Sequence, residues 1–258
     1  MIIGNKKFEN YTYVMAIINL TPDSFYSPSR TACDDVLFRT ERAIKDGAAI
    51  IDLGAQSTRP NYKEVPPEEE LARLEKPLQA VLKNFDIPVS VDTYFPQVAK
   101  ASFEMGAHLL NDIWGLTAEG MAEIVAKANG SVCIMHNAKS KLEGDIFPQI
   151  ESFLNSSVQK ALKAGIDRDK ICLDGGIGFA KDREQNLLLL NNYDRLSSLG
   201  YPLLLGTSRK SLFGGNVEDR LAPTVESTRL AARKKILFVR VHDVKENVQA
   251  IKEEYERN

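Results

Sequence analysis

Asp92, Asn111 and Asp174 offer two carboxylates and an amide, each at or near the end of a short apolar run. Ionised carboxylates only accept hydrogen bonds, whereas an amide both donates and accepts. Such a set suits a flat heterocycle that presents several N–H donors, as the edge of an aminopyrimidinone does. Arg59, Arg209, Lys210, Arg240 and His242 are cationic or can become so, and they follow other apolar runs. They suit a carboxylate, a phosphate or a pyrophosphate. Asn19, with Asp23 in the segment beyond it, is placed to help hold a divalent ion beside a pyrophosphate, because Mg2+ takes few protein ligands and completes its shell with water and phosphate oxygens. His136 also ends a run, but no second ligand lies at metal spacing, so it reads as pocket lining or structure.

Several neighbours of these residues have plainer readings. Asp52, two positions before Gly54, reads as a turn residue that hydrogen-bonds backbone. His108 follows Gly106-Ala107 and enters its run from the N-terminal side, away from the chemistry. Of the adjacent Arg209 and Lys210, only one need face a ligand, and the other can form a structural ion pair. Gly175-Gly176-Ile177-Gly178 resembles part of a dinucleotide fingerprint, but it comes late in the chain and lacks the acidic residue that should follow. Its glycines are read as a tight turn or a close backbone approach. No G-x-S-x-G, H-E-x-x-H or P-loop motif is present, which disfavours covalent serine chemistry, zinc hydrolysis and ATP cradling.

Something must hold these groups on one rim. Eight apolar runs recur at Tyr13–Asn19, Ala49–Gly54, Pro88–Thr93, Leu109–Ile113, Ser131–His136, Lys170–Asp174, Pro202–Gly206 and Ile236–Val241, with starts 21 to 39 residues apart. The runs are apolar on successive residues, as parallel strands covered on both faces are. The segments between carry the helical period: Leu71, Leu74, Leu78, Val81 and Leu82 share one face, as do Val244, Val248, Ile251 and Tyr255. Pro66-Pro67 followed by Glu68, Glu69 and Glu70 marks a helix start. Eight strand–helix units predict an α/β fold, a (β/α)8 TIM barrel forming one domain over residues 1–258. An open doubly wound sheet is the rival. In a barrel the C-terminal strand ends share one face, and here all eight deliver a polar or charged group to it. A single such residue is often a helix cap. Eight together are better explained by a polar pocket.

Composition narrows the class of function. Lys plus Arg number 33 against 35 Asp plus Glu, a net charge of -2, which argues against nucleic acid as a partner. The three cysteines, Cys33, Cys133 and Cys172, are widely spaced, so a reduced, cytoplasmic setting is expected rather than a disulfide framework. Residues 1–12 hold no apolar stretch of the kind a signal peptide needs, and no run approaches the roughly 20 apolar residues of a membrane span.

The ordered segments resemble dihydropteroate synthase over nearly the whole chain. They are Asn19-Leu20-Thr21-Pro22-Asp23-Ser24-Phe25, Ser57-Thr58-Arg59-Pro60, Val91-Asp92-Thr93, Asn111-Asp112-Ile113 and Met135-His136, then Asp174-Gly175-Gly176-Ile177-Gly178-Phe179, Ser208-Arg209-Lys210-Ser211 and Arg240-Val241-His242-Asp243-Val244. The resemblance implies a transferase of folate biosynthesis that joins 4-aminobenzoate to 6-hydroxymethyl-dihydropterin pyrophosphate. It implies that Asp92, Asn111, Asp174 and Lys210 hold the pterin, with Met135 and Phe179 lining its slot. Asn19, Arg240 and His242 would hold pyrophosphate with Mg2+, Asn19 being the metal ligand. Thr58, Arg59, Pro60 and Ser211 would form the aminobenzoate side. Asp92, Asp174, Lys210, Arg240 and His242 would be the catalytic set. The resemblance further implies a homodimer, sulfonamide competition, and no nucleic-acid or membrane partner. The chain departs from the common pattern at Gly175, where proline is usual, at Gln56, where glutamate is usual, and at Tyr26-Ser27-Pro28-Ser29-Arg30 and Asn137-Ala138-Lys139-Ser140. A pterin methyltransferase on the same barrel would not need Ser57-Thr58-Arg59-Pro60 or Ser208-Arg209-Lys210-Ser211. A non-catalytic pterin binder would be expected to lose the cations at 240 and 242. A sugar-phosphate enzyme leaves Asp92, Asn111 and Asp174 unexplained.

Overall fold

A computed structural model of the chain describes residues 1–20, 32–56 and 64–257. Its centre is a closed barrel of eight parallel strands: β3 (Tyr13–Asn19), β4 (Ile50–Gly54), β5 (Val89–Asp92), β6 (Leu109–Asp112), β7 (Ser131–Met135), β8 (Ile171–Asp174), β9 (Leu203–Leu205) and β10 (Phe238–Val241). Strand β10 closes the ring against β3, with Phe238 opposite Tyr13 and Val241 opposite Ala16. A helix follows each strand: α1 (Ala32–Lys45), α2 (Pro67–Asn84), α3 (Pro96–Met105), α4 (Met121–Lys127), α5 (Ile146–Ala164), α6 (Arg183–Asn191), α7 (Leu221–Arg233) and α8 (Val244–Glu256). The (β/α)8 barrel expected from the spacing is therefore present, and each strand lies within its expected run.

Strand side chains alternate between two faces, and the two faces of this barrel differ. Outward residues such as Ile51, Leu53, Val89, Val91, Leu110, Ile134, Leu173 and Val239 pack against the helices in one apolar layer. Leu74, Leu78 and Val81 of α2 and Val244 and Ile251 of α8 face that layer, as their periodicity predicts. Inward residues in the lower half, Met15, Ile50, Leu109, Cys133, Cys172, Leu204 and Phe238, form a separate apolar cluster. Further up the same strands, the inward positions become polar.

The lower cluster is closed by a hairpin that the sequence reading did not anticipate, β1 (Ile2–Ile3) with β2 (Lys6–Lys7). Ile3 is fully buried, and the Phe8 ring meets Phe238 edge-on at 5.4 Å. Gly4-Asn5 between the strands is a two-residue hairpin signal, with Gly4 at φ +59°. His108 lies beneath this turn, at the bottom as expected, and its Nδ1 accepts from the Val89 N–H at 3.1 Å.

Candidate active site

The upper half of the barrel holds the residues singled out by their chemistry. Strand register sets Asp92 beside Asn111 and Met135 beside Asp174. Asn19 ends β3 opposite Gly54. Asp92, Asn111, Met135 and Asp174 are all buried. Two inward positions among these groups lack a side chain. A Cβ on Gly54 would lie 3.8 Å from both Asn19 Oδ1 and Asp92 Oδ2, and one on Gly206 would lie 3.6 Å from Asp174 Oδ2 and 4.0 Å from Lys210 Nζ.

Asp52 departs from its expected role. It is not a turn residue: it points into the barrel, is fully buried, and accepts from Arg240 Nε at 2.6 Å. Arg240 Nη2 donates to Asp92 Oδ2, also at 2.6 Å. One guanidinium thus bridges two carboxylates from β4 and β5. The other oxygens, Asp52 Oδ1 and Asp92 Oδ1, are buried without a partner, as is the nearby Ser90 Oγ. Burial pushes the Asp92 carboxyl up to about 7; Arg240 opposes this and the Asp52 charge adds to it. The Arg240 guanidinium is held charged by the two acids, against its own burial.

Asp174 ends β8 with one oxygen already engaged. Its Oδ1 accepts from the Gly176 N–H at 2.7 Å, and the Tyr193 hydroxyl stands 2.9 Å away. Burial pushes its carboxyl up, while Lys210 opposes. Lys210 resolves the Arg209/Lys210 ambiguity. Its ammonium turns inward, donates to the Ile177 carbonyl and lies 4.8 Å from the Phe179 ring centre. Burial pushes it down to about 8, with Arg240 adding and Asp174 and Asp92 opposing. Arg209 instead turns outward and pairs with Asp243 through Nε at 2.9 Å and Nη2 at 2.5 Å. Ser208 Oγ and His242 Nδ1 are 2.9 Å apart, which ties the seventh and eighth strand ends together. Ser211 is exposed just beyond Lys210.

The segment after β8 is a tight turn, not a dinucleotide cradle. Gly176 has φ +70°, and a Cβ there would fall 1.9 Å from the His136 carbonyl oxygen. Asn186 at the start of α6 accepts from the Gly178 N–H at 2.6 Å. Lys181 fixes the turn from below by donating to the Gly176 and Phe179 carbonyls, both at 3.0 Å. It also meets His136 Nδ1 at 3.1 Å. Burial, then the Lys181 charge, pushes His136 down to about 3, which favours the neutral ring. Lys181, Tyr193 and the true orientation of Asp52 were missed by sequence reasoning. Strand parity counted back from Gly54 would have found Asp52. Thr58, Arg59, Pro60, Asp23 and Tyr26–Arg30 lie outside the described residues.

The rim therefore presents carboxylate and amide acceptors on β5, β6 and β8, with cations on the β9 and β10 sides. The model of the family described as pterin binding enzyme matches residues 15–242. A dihydropteroate synthase of Clostridium beijerinckii is 44% identical over 98% of this chain and 97% of its own. The structure is similar to that of the Clostridium difficile dihydropteroate synthase determined in the presence of pteroic acid, with a TM-score of 0.94, 39% identity and 98% of each chain covered. It is also similar to the Xanthomonas albilineans dihydropteroate synthase with 4-aminobenzoic acid, with a TM-score of 0.92, 34% identity, and 96% and 93% covered. The family match, the shared barrel and identity along nearly the full length lead to one assignment: the chain belongs to the dihydropteroate synthase family of pterin-binding enzymes.

Proposed function

We propose that this barrel joins 4-aminobenzoate to 6-hydroxymethyl-7,8-dihydropterin pyrophosphate, giving 7,8-dihydropteroate and pyrophosphate. The observation that carries the reading is the inward position at Gly206, without a side chain and bordered by Asp174 Oδ2 and Lys210 Nζ, on the same rim as Asp92 and Asn111. That set matches a pterin, whose ring edge offers N–H donors to the acids and whose carbonyl oxygen accepts from an ammonium. Met135 and Phe179 supply the walls of its slot.

Arg240 and His242 take the pyrophosphate. Arg240 commits Nε and Nη2 to Asp52 and Asp92, which leaves Nη1 for an anion. Thr58, Arg59, Pro60 and Ser211 take the aminobenzoate. The reacting methylene is attached to an electron-rich ring, so early departure of pyrophosphate leaves a cation delocalised into the pterin. Asp174 and Asp92 stabilise that positive charge in this reading, and Arg240 and His242 the departing anion. The arylamine then attacks without a strong base and loses its proton afterwards. This is a dissociative displacement with no covalent enzyme intermediate.

Asn19 would hold Mg2+. Its Oδ1 borders the open position at Gly54, and a neutral hard oxygen suits this ion. Among the described residues no three His, Cys, Asp or Glu side chains converge as a metal cage. A single protein ligand fits an ion that takes its remaining partners from water and phosphate. When bound, Mg2+ supplies positive charge to the leaving pyrophosphate. The reading carries a homodimer and a cytoplasmic setting with it. Free thiols at Cys33, Cys133 and Cys172 support a reducing compartment, and no helix of the described residues is long and apolar enough to cross a membrane.

The test is pyrophosphate release from the pterin pyrophosphate with Mg2+, with and without 4-aminobenzoate. Release that requires aminobenzoate and yields dihydropteroate is expected, with sulfonamides competing against aminobenzoate. Pterin binding without turnover would overturn the reading.

A further inference from the structure

Tyr193 lies 19 residues beyond Asp174, in a short 3-10 segment after α6, and is among the largest fully buried side chains. Its hydroxyl meets three groups of the pterin side of the barrel. It accepts from the Gly175 N–H at 2.8 Å, and lies 2.9 Å from Asp174 Oδ1 and 2.6 Å from the Leu204 carbonyl. A phenol has one proton, so it donates to only one of those two acceptors at a time. The Gly175 N–H occupies an oxygen lone pair and strengthens the hydroxyl as a donor.

Gly175 lets the ring pack close to the chain. A Cβ there would lie 2.9 Å from Leu196 Cδ1 and 3.1 Å from Tyr193 Cε2. The missing side chain thus makes room for Tyr193, and the N–H that proline would lack is its donor. Asp174 Oδ1 is then held by the Gly176 N–H and the phenol, while Oδ2 is left beside the open position at Gly206, next to Lys210 Nζ.

We propose that Tyr193, admitted by Gly175, is a positioning residue for the reaction: its hydroxyl pins Asp174 Oδ1 so that Oδ2 and Lys210 face the pterin. This rests on the proposed function and adds to it a residue outside the rim. The bond also favours the ionised carboxylate, against its burial. Its charged and titratable surroundings are Lys210 after β9, Lys181 after β8, Arg240 on β10, Cys133 on β7 and Tyr193 itself. When Asp174 is ionised the phenol donates to it. When Asp174 is protonated on Oδ1 the phenol turns to Leu204.

The experiment is Tyr193→Phe, titrated calorimetrically with 6-hydroxymethylpterin monophosphate across pH 5 to 9, beside steady-state turnover. Loss of a hydrogen bond to a charged group should weaken pterin binding by roughly tenfold to a hundredfold. The KM for 4-aminobenzoate at saturating pterin pyrophosphate should stay within about threefold. The acidic limb of pterin binding should move to higher pH, because the carboxylate has lost a donor. A pterin Kd within about threefold of wild type together with an unmoved pH limb would overturn the proposal, whatever the melting temperature does. Should Tyr193→Phe not fold, Gly175→Ala keeps the phenol and displaces its ring; weaker pterin binding with aminobenzoate KM unchanged is expected, and unchanged pterin binding would be decisive against it. A wild-type chain that makes no dihydropteroate sinks the functional reading instead, so the two failures are distinguishable.

Discussion

Replacing Arg240 by methionine removes the cation that bridges Asp52 and Asp92 while roughly keeping its volume. A charge pair at ~4 Å is worth about 4 kcal/mol at an effective dielectric of ~20, and Arg240 makes two such pairs. Those gains are largely offset by desolvating three charges and by the repulsion between the two acids. Removing one partner of a buried pair nonetheless destabilises by about 3–5 kcal/mol, because uncompensated charge stays buried. For a chain of this size that is a fall in Tm of roughly 6–20 °C. The sign with pH follows from Asp92, whose carboxyl is raised to about 7 in the fold. The proton it takes in the window between ~4 and 7 relieves the repulsion, so the loss should be larger at pH 8 than at pH 5. The triple variant Asp52→Asn, Asp92→Asn, Arg240→Met leaves no buried charge in the cluster and should recover most of the stability. Activity should not recover, since Arg240 is also assigned to the pyrophosphate; the barrier to turnover should rise by about 2–4 kcal/mol in the single variant and by at least as much in the triple, which also loses the Asp92 carboxylate. Calorimetric melts at the two pH values, with turnover, test this. A single variant that melts within about 2 °C of wild type at pH 8, or a triple variant no better than the single, would refute the reasoning.

Asp92→Asn should weaken pterin binding more than aminobenzoate binding, measured as separate Kd and KM values; equal losses would indicate general damage. Glu70 on α2 is buried, and burial pushes its carboxyl up to about 7 against the opposing Thr93 hydroxyl. A raised acid stabilises the fold below its unfolded pKa and loses that contribution as pH rises through about 7. Glu70→Gln should therefore gain melting temperature relative to wild type between pH 5 and pH 8.5, and a constant difference would contradict that burial effect. Gly176→Ala should abolish pterin binding, since its Cβ would fall 1.9 Å from the His136 carbonyl. Gly120→Ala, also at positive φ but with nothing within 4 Å, should cost only about 1–2 kcal/mol and leave turnover intact. Arg209→Ala breaks a partly exposed pair with Asp243 and should change stability by less than about 1 kcal/mol in a thermal melt.

The barrel was legible because both faces of each strand are buried, so apolar residues run on successive positions instead of alternating. The same feature hid Asp52. In a run without alternation nothing marks which face a single acid takes, and proximity to Gly54 suggested a turn. Counting parity would have placed 50, 52 and 54 on one face, and Arg240 two strands away as the partner. Arg209 and Lys210 could not be separated from sequence, because their opposite directions depend on Arg209 sitting at φ +55° and on Asp243 being within reach. The Tyr193 contact was invisible for another reason. Its approach to Asp174 needs the missing side chain of Gly175 and the particular angle of the segment after α6, and neither is a pattern in the chain. The N-terminal hairpin had a signal in Gly4-Asn5, but its strands are two residues each, too short for periodicity.

The inner wall of the barrel explains why these acids tolerate their surroundings. Its lower half is an apolar plug of Met15, Ile50, Leu109, Leu204 and Phe238, and this supplies burial without any polar demand. The upper half runs the other way. Asp52 Oδ1, Asp92 Oδ1 and Ser90 Oγ lack partners, and Asp92 and Asp174 are both pushed toward protonation. An unpaired buried polar atom is destabilising, so a ligand that brings N–H donors to Asp92 and Asp174 is favoured at this level of the barrel. The same imbalance makes the pocket selective. A ring of equal size with carbonyls in place of N–H groups would set acceptors against the carboxylates of Asp92 and Asp174, and Lys210 beside Gly206 could meet only part of that edge. Strand register fixes these acceptors in place, so discrimination here is a property of the barrel wall itself.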